Sequence, residues 1–504
     1  MRYGSRTAYT PASSGYRSFC RAFISFERTV LRLIHTHSHS DNIQPIQLTD
    51  HFTIARLLRF VLPSIITMVF TSIYGVVDGF FISNYVGKTA FAAANITWPL
   101  LMIFAGVGFL FGTGGSALVA AYLGADRQKK ACSLFTEFSL VLFAAALVLT
   151  ILAEVLLPSA VVFLGADESM LPDCIAYGRF LLLGILPFAF QNFFTPFLVT
   201  AGKPGLGLTF TLLAGFTNMF SDALFMGVFG SGVAGAALAT TLSAIVGSVL
   251  PFLYFLLPNK SSLHFRAFSF DGKSLLKVLS NGSSEMITQL SLALVNVLYN
   301  ILLMKYLGED GVAAFGVISY VNCIFTAVFT GYAIGSAPVV SAHCGAGDLA
   351  EVKGILKKSI LLLSIFGLSM ALSASALSPA LSALFTGYDE ALCVLTTHAF
   401  RIFAISFLFM GFNIYTSSFF TALGNGRISF LISFLRTFVL QVLCAVLLPL
   451  SFGAEGIWWA TALAELICLG ISALFLVFNR DSLGFRKPEK ERTRFHGDLP
   501  SEES

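Results

Sequence analysis

Residues 73–87 read IYGVVDGFFISNYVG. With VLPSIITMVF at 61–70 upstream, they form one long apolar run interrupted by a single carboxylate, Asp78. Such a run suits a helix that crosses a bilayer, which needs about 20 predominantly apolar residues. Asp78 then sits within the hydrocarbon thickness, where a charged side chain costs at least roughly 2.5–3.5 kcal/mol. A carboxylate kept at that cost points to an ion or substrate pathway.

The rest of the 504-residue chain has the same character: 56% is hydrophobic and only 12% charged. Soluble domains average about 45–50% apolar and about 25% charged residues, so this chain lacks the polar surface to coat a soluble body. The 52 Phe suit lipid-facing and cavity-lining helices. The net charge of +4 comes from basic residues scattered between apolar runs, which argues against nucleic acid as a partner. Eight Cys include no Cys-x-x-Cys pair, so neither a disulfide framework nor a zinc site is expected. Residues 1–50 are polar, basic and Ser-rich, without the apolar core of a signal peptide. They read as a cytoplasmic tail with a short amphipathic helix around 17–34, and His35, His37 and His39 read as incidental.

Twelve apolar runs are long enough to span: 57–83, 93–122, 132–157, 173–201, 205–229, 232–257, 281–306, 312–343, 357–380, 393–422, 428–450 and 455–478. All should be helices, because open sheet edges are not viable in hydrocarbon. With the N-terminus inside, 26 of the 31 Lys and Arg fall in the tails and inner connections. The outer connections hold only Lys88 and Lys305, and Arg179, Arg401 and Arg436 lie within spans. By the positive-inside rule both termini are cytoplasmic and the protein is a multi-pass protein of the cell membrane.

The longest internal polar stretch, around 258–280, divides the spans six and six. The expected layout is a tail 1–50, an N-lobe 51–257, an interlobe loop 258–280, a C-lobe 281–479 and a tail 480–504. The halves repeat at an offset near 221. GFFISNYVG (79–87) returns as NILLMKYLG (300–308), GSALVAAYLGA (115–125) as GSAPVVSAHCGA (335–346), and GVAGAALAT (232–240) as GAEGIWWAT (453–461). Two copies of six spans share one orientation, so a pseudo-twofold axis along the membrane normal should relate them, with a substrate site between.

Two acids stand well inside the first half, Asp78 and Asp222. Asn218 precedes Asp222 by four residues and shares its helix face. Thr240 places a hydroxyl in span six, and Asn192 an amide in span four. Two carboxylates, an amide and a hydroxyl suit a hard cation such as Na⁺, ligated by Asp78 and Asp222. Alternatively, two carboxylates brought together in a dry site hold a proton. In the repeat Asp78 maps onto Tyr299, and Asp222 onto a stretch without acids near Val442–Cys444. Acids that merely propped the fold would recur in both halves. In the second half, Glu285 stands near the inner interface, as a contact for a cationic substrate or as a solvated side chain. Glu465 is expected to pair with Arg436 or Arg401, and Arg179 and Arg401 read as structural.

No enzyme signature is present. VGKT at 86–89 lacks the first Gly of a phosphate loop, its place being taken by Ile82, and GVGFLFG at 106–112 is helix-packing glycine. Without a nucleotide site, transport draws on an ion gradient or is passive, and no cofactor beyond a coupling Na⁺ or H⁺ is expected.

The chain resembles the multidrug and toxic-compound extrusion (MATE) family of cation-coupled antiporters. The resemblance rests on LPS and VDGFFISNYVG in span one, GSALVAAYLGA closing span two, the Asn-x-x-x-Asp of span five, and NGSSEM with KYLGEDGVAAFG around span seven. It covers about 50–480, and the N-terminal tail is longer than the family usually has. It implies an all-α MATE-like fold of two V-shaped six-helix lobes, outward–inward alternation, and an N-lobe cation site at Asp78, Asn218, Asp222 and Thr240. It also implies a hinge at Pro63. The leading reading is a Na⁺- or H⁺-coupled multidrug efflux antiporter, monomeric in the bilayer, that exports drugs or toxic organic cations. The second reading is a flippase of lipid-linked oligosaccharide from the same superfamily, whose cavity should be rich in Arg and Lys. A non-transporting scaffold, the third, would not need acids in one lobe only.

Overall fold

The structure, a computed structural model, describes residues 47–82, 86, 88–164, 170–259, 261–387 and 389–479. The tail helix around 17–34, the three tail His and the C-terminal tail lie outside the described residues.

The described residues are helical almost throughout and contain no strand. In chain order the helices are α1 (Ile54–Phe81), α2 (Lys88–Ala105), α3 (Val107–Gly124), α4 (Gln128–Phe163), α5 (Leu171–Leu182), α6 (Ile185–Thr200), α7 (Pro204–Asp222) and α8 (Gly232–Leu256). Then follow α9 (Gly272–Gly345), α10 (Leu349–Thr386), α11 (Glu390–Ala404), α12 (Phe407–Ala422), α13 (Gly426–Phe434), α14 (Leu440–Phe452) and α15 (Ala454–Phe478). Wider π-helical turns follow α7 at Ala223–Val228 and α13 at Leu435–Val439.

Among the described residues nine helices are long and apolar enough to cross a membrane, or eleven when each bent pair counts as one span. The bent pairs are α5 with α6, at 49°, and α11 with α12, at 46°. Eleven is one short of the expected twelve, and the difference lies in α9. Its 74 residues would extend roughly 110 Å at about 1.5 Å per residue, far more than a bilayer. Gly308 breaks it with φ 65°, ψ −152°, a conformation that a side chain would strain. The arms are 272–307 and 309–345.

The 221-residue repeat is visible in the backbone. Left-handed residues punctuate both halves at matching places: Asp126 and Gly347, Gly202 and Gly424, Gly232 and Gly453. A proline lies inside α4 at Pro158 and inside α10 at Pro379, again 221 apart. The left-handed residues turn the chain where the polypeptide leaves one apolar run for the next, so the repeat in sequence becomes a repeat in direction.

Lipid tails are as apolar as the side chains, so packing between helices relies on close approach of small residues. A Cβ on Gly124 would fall 1.9 Å from Ala342 O, and one on Gly345 would fall 1.9 Å from Ala121 O. A Cβ on Gly282 would meet Leu110 O at 1.9 Å, and one on Gly331 would meet Ile65 Cα at 2.6 Å. The first half's α1 and α3 thus lie backbone to backbone on α9. Within the first half, Phe135, Phe193, Phe194, Phe197 and Phe255 fill the core under α4, with Phe135 at 5.0 Å from Phe197 and 4.9 Å from Phe255, centroid to centroid. The outward faces of α4 and α10 remain apolar and exposed, as at Val148, Ile151, Val155, Ile365, Leu368 and Leu372, which suits contact with acyl chains.

Candidate functional site

Asp78 lies in the last turn of α1, where its own carbonyl accepts from the N–H of Ile82. Asn218 and Asp222 sit one turn apart at the end of α7, and the helix widens into its π-turn immediately after Asp222. Such bulges re-aim neighbouring groups and are frequent at functional sites. Thr240 belongs to α8, and α7 packs along both α1 and α8. These contacts carry residues up to 162 positions apart into one region of the first half.

Asp78 and Asp222 are brought face to face, close enough for their carboxyl groups to interact directly. Asp222 is 0% exposed and Asn218 1%. Yet Asp78 Oδ1, Asn218 Oδ1, both Asp222 carboxylate oxygens and Thr240 Oγ1 are buried without any hydrogen-bond partner. Only twelve buried side-chain polar atoms among the described residues are orphaned in this way, and five of them belong to these four residues. Each such atom costs about 1–3 kcal/mol. A shared positive charge is the simplest group that satisfies several orphaned oxygens at once.

Asn192, the fifth residue expected at the site, donates from Nδ2 to Phe188 O one turn back along α6, a bond that leaves its Oδ1 uncommitted. Its neighbour Gln191 instead faces Tyr74, which lies one turn before Asp78 on α1. Tyr177 of α5 lies within electrostatic range of both acids. Sequence reasoning missed Tyr74, Tyr177 and Gln191, because aromatic residues in apolar helices read as core. The four-residue spacing of Tyr74 and Asp78 is the one signal that would have found the first.

The corresponding place in the second half is closed by neutral groups. Tyr299 is buried, donates to Gln441 Oε1 at 3.1 Å and lies 3.0 Å from Thr461 Oγ1. Its ring stacks on Phe315 at 5.1 Å.

Beside this network opens a cavity of about 350 Å³, lined mostly by the second half and closed on one side by Thr113, Ser116 and Pro196 of the first. Glu285 lines it, with Gln289 Nε2 donating to its Oε1 at 3.2 Å. Of the two arginines considered for Glu465, the structure selects Arg436, whose Nε donates to Glu465 Oε1 at 3.0 Å. Asn413 Nδ2 donates to Glu465 Oε2 at 2.7 Å. Arg401 is exposed instead. Pro63 lies within α1 and its carbonyl accepts from Thr67 Oγ1 at 2.8 Å.

The chain is similar to known proteins. Multidrug export protein MepA of Staphylococcus saprophyticus subsp. saprophyticus is 26% identical over 441 residues, covering 86% of this chain and 95% of the relative. MepA of Staphylococcus aureus strain MRSA252 is 22% identical over 430 residues, covering 85% and 94%. Among solved structures, the outward-facing conformation of a multidrug resistance MATE family transporter of the MOP superfamily superposes with a TM-score of 0.83 at 22% identity, over 89% of this chain and all of that one. MATE in the bent conformation superposes at 0.80, also 22% identical, over 88% and 99%. At that identity these structures establish a common fold. The MatE family model matches residues 63–224 and again 286–447, two copies that begin 223 residues apart. Well over half of the chain is covered by those two matches, and the chain belongs to the MatE family of membrane transporters.

Proposed function

We propose that this chain is a multidrug efflux antiporter that couples export of organic, mostly cationic, compounds to entry of Na⁺ or H⁺. One observation carries the reading: Asp78 and Asp222 face each other in the first half, and five buried oxygens of Asp78, Asn218, Asp222 and Thr240 lack a hydrogen-bond partner. Two facing carboxylates, one of them fully buried, repel each other, so a single bound cation or proton relieves both the repulsion and the missing hydrogen bonds. The coupling ion is cargo, held by Asp78 and Asp222 with Asn218 and Thr240 as neutral oxygen donors.

In this reading the two arms of α9 are separate spans, which makes twelve, with both termini cytoplasmic. The lobes 51–257 and 281–479 rock about the cavity between them. Loading of the acids draws on the lower part of α1, and Pro63 gives that helix a place to bend, because proline removes one backbone hydrogen bond. Drug in the cavity meets Glu285 as the one acid there without an arginine partner in its hydrogen bonds. The monomer suffices, since the acids and the cavity are built by one chain. A flippase of lipid-linked oligosaccharide is disfavoured, because Arg436 in the cavity is already engaged by Glu465.

The test uses purified protein in liposomes. Ethidium moved against its gradient when Na⁺ or a proton gradient is imposed, and not without one, is the expected result. Movement that is indifferent to both gradients overturns the coupled mechanism.

A further inference from the structure

At the end of the bundle that carries the connections 125–127 and 346–348, each half grips the segment that leads into the first helix of the other half. In one grip, Lys130 of α4 donates from Nζ to Asp271 Oδ2 at 2.8 Å, and the backbone N–H of Asp271 donates to Glu137 Oε1 at 3.0 Å. Asp271 is the residue that caps α9. In the other grip, Glu351 of α10 accepts at Oε1 from the N–H of Phe52 at 3.0 Å, and its Oε2 lies 2.7 Å from His51 Nδ1. Lys358 donates to Phe52 O and, at 3.3 Å, to Glu351 Oε1. Phe52 stands just before Thr53, which caps α1.

The two grips occupy equivalent places. Lys130 and Glu351 are 221 positions apart, as are Glu137 and Lys358, and as are Asp271 and Asp50. Within each helix the acid and the base are seven residues apart, two turns, so both reach the same segment. Their polarity is inverted, base then acid in α4 and acid then base in α10. Sequence comparison of the halves hides the equivalence for that reason. Between the grips, Gly124 meets Ala342 and Gly345 meets Ala121 with no room for a side chain. This end of the bundle is therefore shut by backbone contact and tied by two ion clusters.

We propose that these clusters are paired latches. They hold the cytoplasmic end closed, and both release when that end opens, so Lys130, Asp271, Glu351 and Lys358 are positioning residues that set the balance between the two faces of the cycle. The inference rests on the alternating-access reading above. Neither latch touches Asp78, Asp222 or the cavity, so each acts on the population of states and leaves ion and drug ligation alone.

Spin labels at Lys129 and Ala350, exposed and 221 positions apart on α4 and α10, report the separation of the halves at this end in liposomes. The unsubstituted chain should show a short and a long distance, with a ratio that responds to the imposed ion gradient. Lys130→Gln and Lys358→Gln, made separately, should each raise the share of the long distance at least about threefold, the effect of one partly exposed ion pair. Lys130→Arg, which still donates to Asp271, should keep the original ratio, a rescue that mere helix packing would not produce. Two distances in the parent chain with unmoved ratios in both Gln variants overturn the latches alone. A parent chain fixed at one distance under every gradient overturns alternating access, and the latches with it.

Discussion

Tyr299 and Asp78 stand 221 positions apart, as do Thr461 and Thr240, so the two halves offer nearly the same scaffold for two different purposes. In the second half the phenol of Tyr299, the amide of Gln441 and the hydroxyl of Thr461 satisfy one another within 3.0–3.4 Å. In the first half the two carboxylates, the amide oxygen of Asn218 and the hydroxyl of Thr240 leave five buried oxygens without partners. A neutral network that is complete adds stability and leaves no orphaned oxygen for a cation. An acidic one that is incomplete costs stability until something positive arrives. In the proposed mechanism the contrast separates the half that fixes the fold from the half that senses the ion.

The sharpest way to break this contrast is to remove a charge from the incomplete network. Asp78→Asn and Asp222→Asn should each lower ion-driven efflux by about 100-fold, the loss of one charged interaction of roughly 3 kcal/mol, at near-normal expression. Drug resistance of cells carrying either variant reads this out, and wild-type resistance would erase the distinction between the halves. Pro63→Ala addresses motion rather than ligation. It should slow turnover by roughly tenfold, through a stiffer α1, while ion binding stays unchanged. Equal turnover in a liposome flux assay would show that α1 does not bend in the cycle.

Thr240→Val removes a neutral donor, so the ion affinity should fall by about fivefold, near 1 kcal/mol, without loss of maximal rate. Titration of transport against Na⁺ or pH checks it. Its counterpart Gln441→Leu strips a partner from Tyr299 and should cost about 1–2 kcal/mol of stability while transport stays within about threefold. Thermal unfolding in detergent beside a flux measurement separates the two. Gln441 also lines the cavity, so a changed dependence on Na⁺ or pH in Gln441→Leu, rather than a changed drug affinity, would mean that the second half takes part in coupling.

The smallest expected effect lies at the bundle's end. Burial works against the charge of Asp271, but Lys130 and the backbone and hydroxyl of Ser274 outweigh it and bring this carboxyl down to about 2. A carboxylate held below its unfolded value of roughly 3.9 contributes stability that is full above that value and disappears as pH falls toward 2. Lys130→Gln should lower stability at neutral pH by at most about 1 kcal/mol and flatten the acid limb between roughly pH 4 and 2, so that the two unfolding curves converge near pH 2.

The apolar runs, their helical form and the 221-residue repeat were all legible in the amino-acid order, because burial in lipid forces long apolar helices whatever they pack against. Asp78, Asn218, Asp222 and Thr240 stood out for the same reason, as polar groups at a depth where polarity is expensive. Asn192 looked equivalent to them by that measure, and the structure adds that its Nδ2 turns back to Phe188 O. Tyr74 and Tyr177 were silent, since a phenol in an apolar helix has the same composition whether it faces a core or a carboxylate. The choice of Arg436 over Arg401 for Glu465 and the grips of Glu351 on Phe52 and Lys130 on Asp271 join residues from 29 to 299 positions apart. Hydropathy is a property of each residue and its near neighbours, so the sequence determined which segments enter the membrane and which polar groups follow them. Pairing depends on how helices cross and turn about their axes, so the tertiary structure alone decided which charges are satisfied and which oxygens are left open.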